Sequence, residues 1–154
     1  MTTITDPTAL ADQLGAAVRE AHNATKAMRS EGARVAYLTA PTPWLASQLK
    51  TLFAAIDDGT ARSCQHLESG PRVVFAAAWT PATLVCARCA PALTPADETE
   101  ETTCDKCRTH VPLIHPRSIT AGPLVYAYGL CDGCARTEPD GHTPHRPKGP
   151  RARR

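Results

Sequence analysis

The chain has 154 residues, a formal net charge of +2 and seven cysteines, and aromatic residues make up only 5% of it. This length leaves room for one domain, or for a helical segment with one small module. The shortage of large apolar side chains argues against a core that is stable by itself. The two longest uncharged apolar runs, 73–87 and 118–131, are too short and too interrupted to span a bilayer. We therefore expect no membrane partner.

The positive charge is concentrated at the C-terminal end. Five of the 17 basic residues lie within 146–154, whereas 1–145 carry 12 basic and 15 acidic side chains. Arg outnumbers Lys 13 to 4 and Ala is abundant, a composition that suggests a bacterial protein from a GC-rich genome. The N-terminal residues lack the basic and apolar layout of a secretory signal. We expect a cytoplasmic protein, in which thiols stay reduced.

Residues 1–59 are predicted to be a helical segment of two helices joined by a connector at 34–43. In the first helix, Asp6 is a candidate N-cap and Gly32 a candidate stop. The second helix is predicted to begin after the cap Thr42 and to end at Gly59. Each helix carries an apolar stripe at helical spacing, predicted to be core: Leu10, Leu14, Ala17, Val18, Ala21 and Met28 in the first, and Leu45, Leu49, Leu52, Phe53 and Ile56 in the second.

After Gly59 the sequence changes to short β-rich runs. The runs "PRVVFAAAW" and "TLVCARC" predict two strands around a turn at Thr80-Pro81, and "LIHPRSIT" and "PLVYAYGLC" predict two more around 121–123. From residue 137 onwards, Pro, Gly, His and Arg predominate. We expect 137–154 to be a disordered basic tail.

The cysteines, together with one histidine, form four pairs of candidate metal ligands. Zinc takes four nitrogen or sulfur ligands in a tetrahedron, and a Cys-x-x-Cys turn brings two sulfurs to one ion. Eight candidate ligands therefore predict two closed zinc sites and two zinc ions per chain. The pairs are Cys64 with His66, Cys86 with Cys89, Cys104 with Cys107, and Cys131 with Cys134.

A ligand pair, a predicted hairpin and a second ligand pair occur twice within 64–134. This layout resembles the zinc-ribbon family, in which two knuckles at the ends of a hairpin hold one zinc ion. The resemblance implies a small zinc-stabilised α+β fold, with N-terminal helices followed by tandem zinc-ribbon-like β-hairpins in a module at 60–136. It also implies two sequential sites, one formed by Cys64, His66, Cys86 and Cys89 and the other by Cys104, Cys107, Cys131 and Cys134.

Other pairings remain open at this point. In an interleaved, RING-like arrangement, the first and third pairs would share one ion and the second and fourth pairs the other. Alternatively, the two central pairs could close one site and the outer pairs a second. His66 departs from the Cys-x-x-Cys pattern and could be an ordinary surface histidine. His110 and His115 are predicted to be hairpin residues and not ligands.

The sequence favours a protein without enzymatic activity. Both predicted sites are fully ligated by protein, as in structural zinc sites, and the chain has no phosphate-binding loop, His-Glu-x-x-His motif or nucleophile elbow. Zinc ribbons recur in transcription and translation assemblies, so the resemblance implies binding to nucleic acid or to a protein of a nucleic-acid machine, with the basic tail contacting phosphates. The alternatives are a protein–protein interaction adaptor and a zinc–thiolate redox sensor. The tail could also serve solubility alone.

Overall fold

A computed structural model of the chain describes residues 7–30, 34–37, 41–69 and 71–138. The predicted cap Asp6, the predicted stop Gly32 and the tail from residue 139 onwards lie outside these ranges. None of the described helices is long and apolar enough to cross a membrane. The elements in chain order are α1 (Pro7–Ser30), β1 (Arg34–Tyr37), α2 (Pro43–Asp57), β2 (Arg62–Ser63), a 3-10 turn (Gln65–Ser69), β3 (Val74–Ala77), β4 (Thr80–Cys86), a second 3-10 turn (Ala87–Ala92), α3 (Glu98–Glu101), β5 (His115–Ala121), β6 (Leu124–Leu130) and α4 (Asp132–Thr137).

The strands form one mixed sheet. Its order is β1-β5-β6-β3-β4, and the two-residue strand β2 extends it at the β4 edge. Strands β3 and β4 form one antiparallel hairpin, and β5 and β6 form another. Strand β3 also pairs in parallel with β6, with Val74 opposite Leu124. The two predicted hairpins are therefore present, but they are joined into one sheet and are not two separate ribbons in tandem.

Strand β1 corrects the prediction that 34–43 is only a connector. It pairs in parallel with β5, from Arg34 opposite Arg117 to Tyr37 opposite Thr120. A strand of four residues is too short to show a clear period of two in the sequence. Because β1 is an edge strand made by pairing with a distant hairpin, the segment before residue 60 contributes to the sheet as well as to the helical layers.

Helix α1 packs on one face of the sheet. Its buried residues Ala17, Ala21 and Thr25 recur at a spacing of four. Leu14, which belongs to the predicted stripe, is 42% exposed. The buried face is centred on small residues, which let the helix approach the sheet closely. Ala21 packs in a cluster with Val73, Phe75, Val85 and Val125.

Helix α2 begins and ends as predicted. The backbone N–H of Leu45 donates to Thr42 Oγ1 at 3.3 Å, and Pro43 occupies the first turn, where it needs no N–H partner. Gly59 follows the helix with a positive φ of 74°, a conformation that favours glycine. The predicted bounds of this helix are confirmed.

Helix α2 covers the opposite face of the sheet, although its buried stripe is narrower than predicted. Phe53 and Ile56 are 48% and 42% exposed. Phe53 lies beside the stripe, and Ile56 lies in the last turn of the helix. The buried positions are Leu45, Leu49, Leu52 and Ala55. The three leucines pack in a cluster with Ala76, Ile119, Leu124, Tyr126, Tyr128 and Leu130. Strand β6 contributes to both clusters, and six of its seven residues are buried.

The turn of the β3–β4 hairpin lies at Ala78 and Trp79, and the predicted turn at Thr80-Pro81 is wrong by two residues. Proline is tolerated near the start of a strand or at a bulge. The register between β3 and β4 shifts between Phe75 and Ala77, so this region is irregular and can accept Pro81 within β4.

This irregularity places Ala82 in a left-handed conformation, with a φ of 55°. An L-residue with a side chain pays a steric cost of about 1–2 kcal/mol there, which glycine avoids. Glycine is also more flexible in the unfolded chain, which offsets part of this gain. We predict that Ala82→Gly raises the free energy of unfolding by roughly 0.5–1 kcal/mol, as measured by denaturant titration. The matched control Ala87→Gly, at an exposed position without a positive φ, should not stabilise the protein.

Candidate metal centres

The short strand β2 aligns Cys64 and His66, the first half of one group of candidate ligands. Ser63 pairs with Leu84 in parallel, and the backbone N–H of Cys64 donates to the carbonyl oxygen of Leu84 at 3.1 Å. The following 3-10 turn begins with a bond from the Leu67 N–H to the Cys64 carbonyl oxygen at 3.0 Å. This turn places His66 on the same side as Cys64.

The second half of this group lies where strand β4 ends. The backbone N–H of Cys86 donates to Cys64 Sγ at 3.3 Å, and Cys89 Sγ lies 3.3 Å from His66 Nδ1. Burial raises the pKa of the Cys86 thiol, but hydrogen bonds from the N–H groups of Cys89 and Arg88 and from Cys64 outweigh this effect and lower it. Burial and the adjacent sulfurs raise the pKa of Cys89 to about 11. We call Cys64, His66, Cys86 and Cys89 the histidine-containing group.

The other group begins with a tight knuckle at 104–107. The N–H of Arg108 donates to the Cys104 carbonyl oxygen at 2.9 Å, and the N–H of Cys104 donates to the Thr109 carbonyl oxygen at 3.0 Å. Arg108 has a positive φ of 58°, which turns the chain sharply after Cys107. Cys104 is fully buried and Cys107 is exposed. The turn thus directs one sulfur inward and the other to the surface.

The second half of this group lies at the end of β6 and in the first turn of α4. Cys131 occupies the N-cap position of α4, and the N–H of Ala135 donates to its carbonyl oxygen at 2.8 Å. Cys131 Sγ lies 3.7 Å from Cys107 Sγ. We call Cys104, Cys107, Cys131 and Cys134 the four-cysteine group.

The thiols of the four-cysteine group differ in pKa. The side chain and the backbone N–H of Thr109 lower the pKa of Cys107 to about 6. Burial raises the pKa of Cys134 to about 12, and the sulfurs of Cys107 and Cys131 add to this effect. A thiolate formed on one cysteine therefore opposes ionisation of the next. A divalent cation bound between the sulfurs would remove this repulsion.

Two contacts tie the two halves of the four-cysteine group together, and a third holds α4 against β5. Lys106 Nζ forms an ion pair with Glu138 Oε1, which is 4% exposed. In the same knuckle, Asp105 Oδ2 accepts from the Gly129 N–H at 2.6 Å. Burial raises the pKa of Asp105, although this hydrogen bond and the charge of Arg108 act against it. Thr137 lies in α4 and Glu138 is its C-cap residue, so these two residues of the predicted tail belong to the described fold.

The third contact is a buried guanidinium. Arg117 in β5 is 5% exposed. Its Nη1 donates to the carbonyl oxygen of Glu138 at 3.1 Å, and its Nη2 donates to that of Ala135 at 2.9 Å. A helix C-terminus leaves carbonyl groups without partners, and a cation there is favourable. Arg117 therefore fixes the end of α4, the helix that carries Cys134.

The eight predicted ligands form two groups, one made of the first four along the chain and the other of the last four. Within each group of four, the ligand atoms all lie within 4.8 Å of one another. Tetrahedral zinc with Zn–S bonds of about 2.3 Å requires sulfurs about 3.8 Å apart, close to the spacing of Cys107 and Cys131. All seven cysteines are free thiols. The donor atoms therefore fit a thiophilic metal ion in each group, and the grouping is that of the sequential alternative.

The two groups lie at opposite ends of the sheet. The histidine-containing group adjoins Val74 and Cys86, which are paired at the start of β3 and the end of β4. The four-cysteine group adjoins Leu130, paired with His115 at the other end of the β5–β6 hairpin. Since Val74 is level with Leu124, the groups are separated along β6 by six residues, or roughly 20 Å. The interleaved and central-pair alternatives would have to bridge this distance.

The other two histidines considered as ligands lie outside both groups. His110 Nδ1 lies 2.9 Å from Thr102 Oγ1, and His115 Nε2 lies 2.5 Å from Asp132 Oδ1. His115 is the first residue of β5, so its expected place in the hairpin is confirmed. His110 lies before the hairpin, in an isolated bridge with Thr103.

Sequence reasoning did not identify the residues that support the four-cysteine group. Lys106 and Asp105 lie inside a Cys-x-x-Cys turn, a position that could have marked them as candidates. Arg117 and Glu138 become partners only through pairing of the hairpin and docking of α4, and no local pattern marks them.

Comparison of the chain with protein-family models, curated proteins and solved structures found no match. What the fold and the sites define is a class: a small α+β protein with two thiol-rich groups, at opposite ends of one sheet, that could each hold a metal ion.

Proposed function

We propose that the protein binds two structural zinc ions, one in the histidine-containing group and one in the four-cysteine group. The observation that carries this proposal is the convergence of eight nitrogen and sulfur atoms into two sets of four, each within 4.8 Å. Thiolate-rich sets of four select zinc or iron–sulfur chemistry among the common metals. The histidine in one group favours zinc.

The role of each ion is structural. All four positions of a tetrahedral ion would be taken by protein, so none is open to water or substrate. When bound, zinc supplies folding free energy, about 10–16 kcal/mol per ion in small zinc-finger peptides. The histidine-containing group contacts the core on the α1 side through Cys64 and Cys89, and the four-cysteine group contacts the core on the α2 side through Cys104. Each ion therefore stabilises a different core layer.

A role in nucleic-acid binding rests on the basic residues of 146–154, which lie outside the described part of the chain. Between residues 60 and 138 the sequence carries seven Lys or Arg against eight Asp or Glu. A sheet with balanced charge supplies little of the electrostatic attraction that dominates binding to phosphates. We keep this role as a prediction for the tail, tested by salt-dependent retention on DNA with and without Arg→Ser changes in 146–154.

His66 gives the sharpest test of the metal proposal, because the chain offers a matched histidine outside the groups. We predict that His66→Ala weakens zinc binding at the histidine-containing group by more than about 100-fold. Loss of a residue that only orients a metal ligand already lowers zinc affinity about 10–100-fold, and loss of a ligand should lower it further. His110→Ala should leave both sites unchanged. Competition with a chromophoric chelator measures both affinities. If the two variants release zinc alike, His66 is not a ligand.

A further inference from the structure

Beyond the metal groups, a pocket of about 310 Å³ lies beside the β5–β6 hairpin. Its volume is at the lower end of the range for ligand pockets. Apolar and aromatic residues form much of its lining, including Trp79, Ile114 and Tyr128. Trp79 is held in place by a hydrogen bond from its Nε1 to the carbonyl oxygen of Leu93 at 3.0 Å. The pocket therefore has a preformed aromatic wall.

The same pocket has carboxylates in its wall. Glu100, Glu101 and Asp105 line it, and no basic residue among the described ones does. Among the described residues, Glu101 has no ion-pair partner. The pocket thus combines apolar surface with excess negative charge.

One of these carboxylates is buried and incompletely satisfied. The Asp105 side chain is 3% exposed. Its Oδ2 accepts from the Gly129 N–H, but its Oδ1 accepts no hydrogen bond within the described structure. A buried acceptor without a donor is unfavourable. A donor that enters the pocket would be stabilised by reaching this atom.

Arg108 shows which chemistry suits these carboxylates. Its Nη2 lies 2.7 Å from Glu100 Oε2, and its Nη1 lies 3.8 Å from Asp105 Oδ1, too far for a hydrogen bond. Its side chain is 56% exposed, so this ion pair lies at the surface. The Arg108 guanidinium thus lies between Glu100 and Asp105. A second guanidinium could reach Asp105 Oδ1 from within the pocket.

We propose that this pocket binds an arginine side chain of a partner protein. A guanidinium offers five donors in a planar fork that matches carboxylates, and it stacks on aromatic rings. Its aliphatic stem suits the apolar lining. Nucleic acid and other anions are disfavoured here because they would face three carboxylates. The pocket therefore supplies a defined recognition element for a protein partner.

The experiment titrates the full-length, zinc-loaded protein with the peptide acetyl-Gly-Arg-Gly-amide and follows it by NMR. The citrulline peptide, which has the same shape without the charge, is the control ligand. We expect saturable shifts at the Trp79 indole N–H and the Gly129 amide with the arginine peptide, and at least tenfold weaker binding of the citrulline peptide. Equal binding of both peptides, or shifts absent from these two groups, would overturn the proposal.

Matched variants locate the site. Glu101→Gln should weaken arginine binding about three- to fivefold, and Asp105→Asn about tenfold. Glu98→Gln, in the same short helix but outside the pocket, should have no effect. Zinc content, measured for each variant, separates loss of the pocket from loss of the adjacent four-cysteine group. Equal effects of Glu98→Gln and Glu101→Gln would show only general attraction to an acidic surface and would overturn the proposal.

The basic residues of the chain's own C-terminal end are the other conceivable occupants. In a full-length variant with the four arginines of 146–154 changed to Ser, the affinity for the arginine peptide should remain the same. A clear rise in affinity would mean that the chain's own terminus competes for the pocket, and this would overturn the assignment to a partner.

Discussion

Cys104→Ala is expected to reduce the zinc content from two ions to at most one and to prevent the sheet from folding. Cys104 is fully buried and lies in the core on the α2 side. An ion that contributes about 10 kcal/mol or more supplies a free energy comparable with the whole net stability of a domain, about 5–15 kcal/mol. Far-UV circular dichroism and native mass spectrometry measure both effects.

The size of this effect distinguishes a metal ligand from a buried apolar residue. Loss of a small core side chain alone costs only about 1–2 kcal/mol, and such a variant would stay folded and keep two zinc ions. That outcome would contradict a ligand role for Cys104. Cys104→Ala also tests the architecture. If the two hairpins were independent ribbons, the β3–β4 hairpin would stay folded in this variant. Because β3 pairs in parallel with β6, the two hairpins are coupled. Protection of backbone amides from hydrogen exchange should therefore fall in both.

Arg117→Met is expected to lower the free energy of unfolding by about 3 kcal/mol or more. The substitution keeps a long apolar side chain but removes the donors to the carbonyl oxygens of Ala135 and Glu138. Hydrogen bonds to charged groups contribute about 1.5–3 kcal/mol each, and both acceptors would lose this partner. Because α4 carries Cys134, zinc affinity at the four-cysteine group should also fall about 10–100-fold, as it does when other residues that orient a metal ligand are lost.

The matched control for this variant is Arg136→Met, at an exposed position in α4. Denaturant titration gives the stability, and competition with a chelator in a His66→Ala background isolates the four-cysteine group. Arg136→Met should change either quantity only slightly. If Arg117→Met is as stable as Arg136→Met and binds zinc equally well, the end of α4 does not depend on the buried guanidinium.

Local patterns in the sequence predict much of the fold. The bounds of α2 follow from Thr42, Pro43 and Gly59, whose effects on helix ends are short-range. The β5–β6 hairpin follows from apolar runs around Gly122-Pro123. The convergence of the eight candidate ligands follows from three Cys-x-x-Cys pairs and one Cys-x-His pair at the ends of hairpins, because each hairpin closes its own loop.

The remaining features depend on contacts between distant segments. The parallel pairings of β1 with β5 and of β3 with β6 join elements whose sequences carry no mark of their partners. The exposure of Leu14 and Phe53 reflects the rotation of each helix on the sheet, which packing decides and periodicity does not. The support of the four-cysteine group by Arg117 and Glu138 likewise appears only once β5 and α4 are in place.

The most direct test of the metal proposal is refolding of the full-length protein with controlled amounts of zinc. Protein stripped of metal in denaturant and chelator is returned to buffer with zero, one or two equivalents of zinc per chain. We predict that native circular dichroism and a cooperative thermal transition return fully only with two equivalents, both retained in the native mass spectrum. A native spectrum and a cooperative transition without zinc would contradict two structural metal sites.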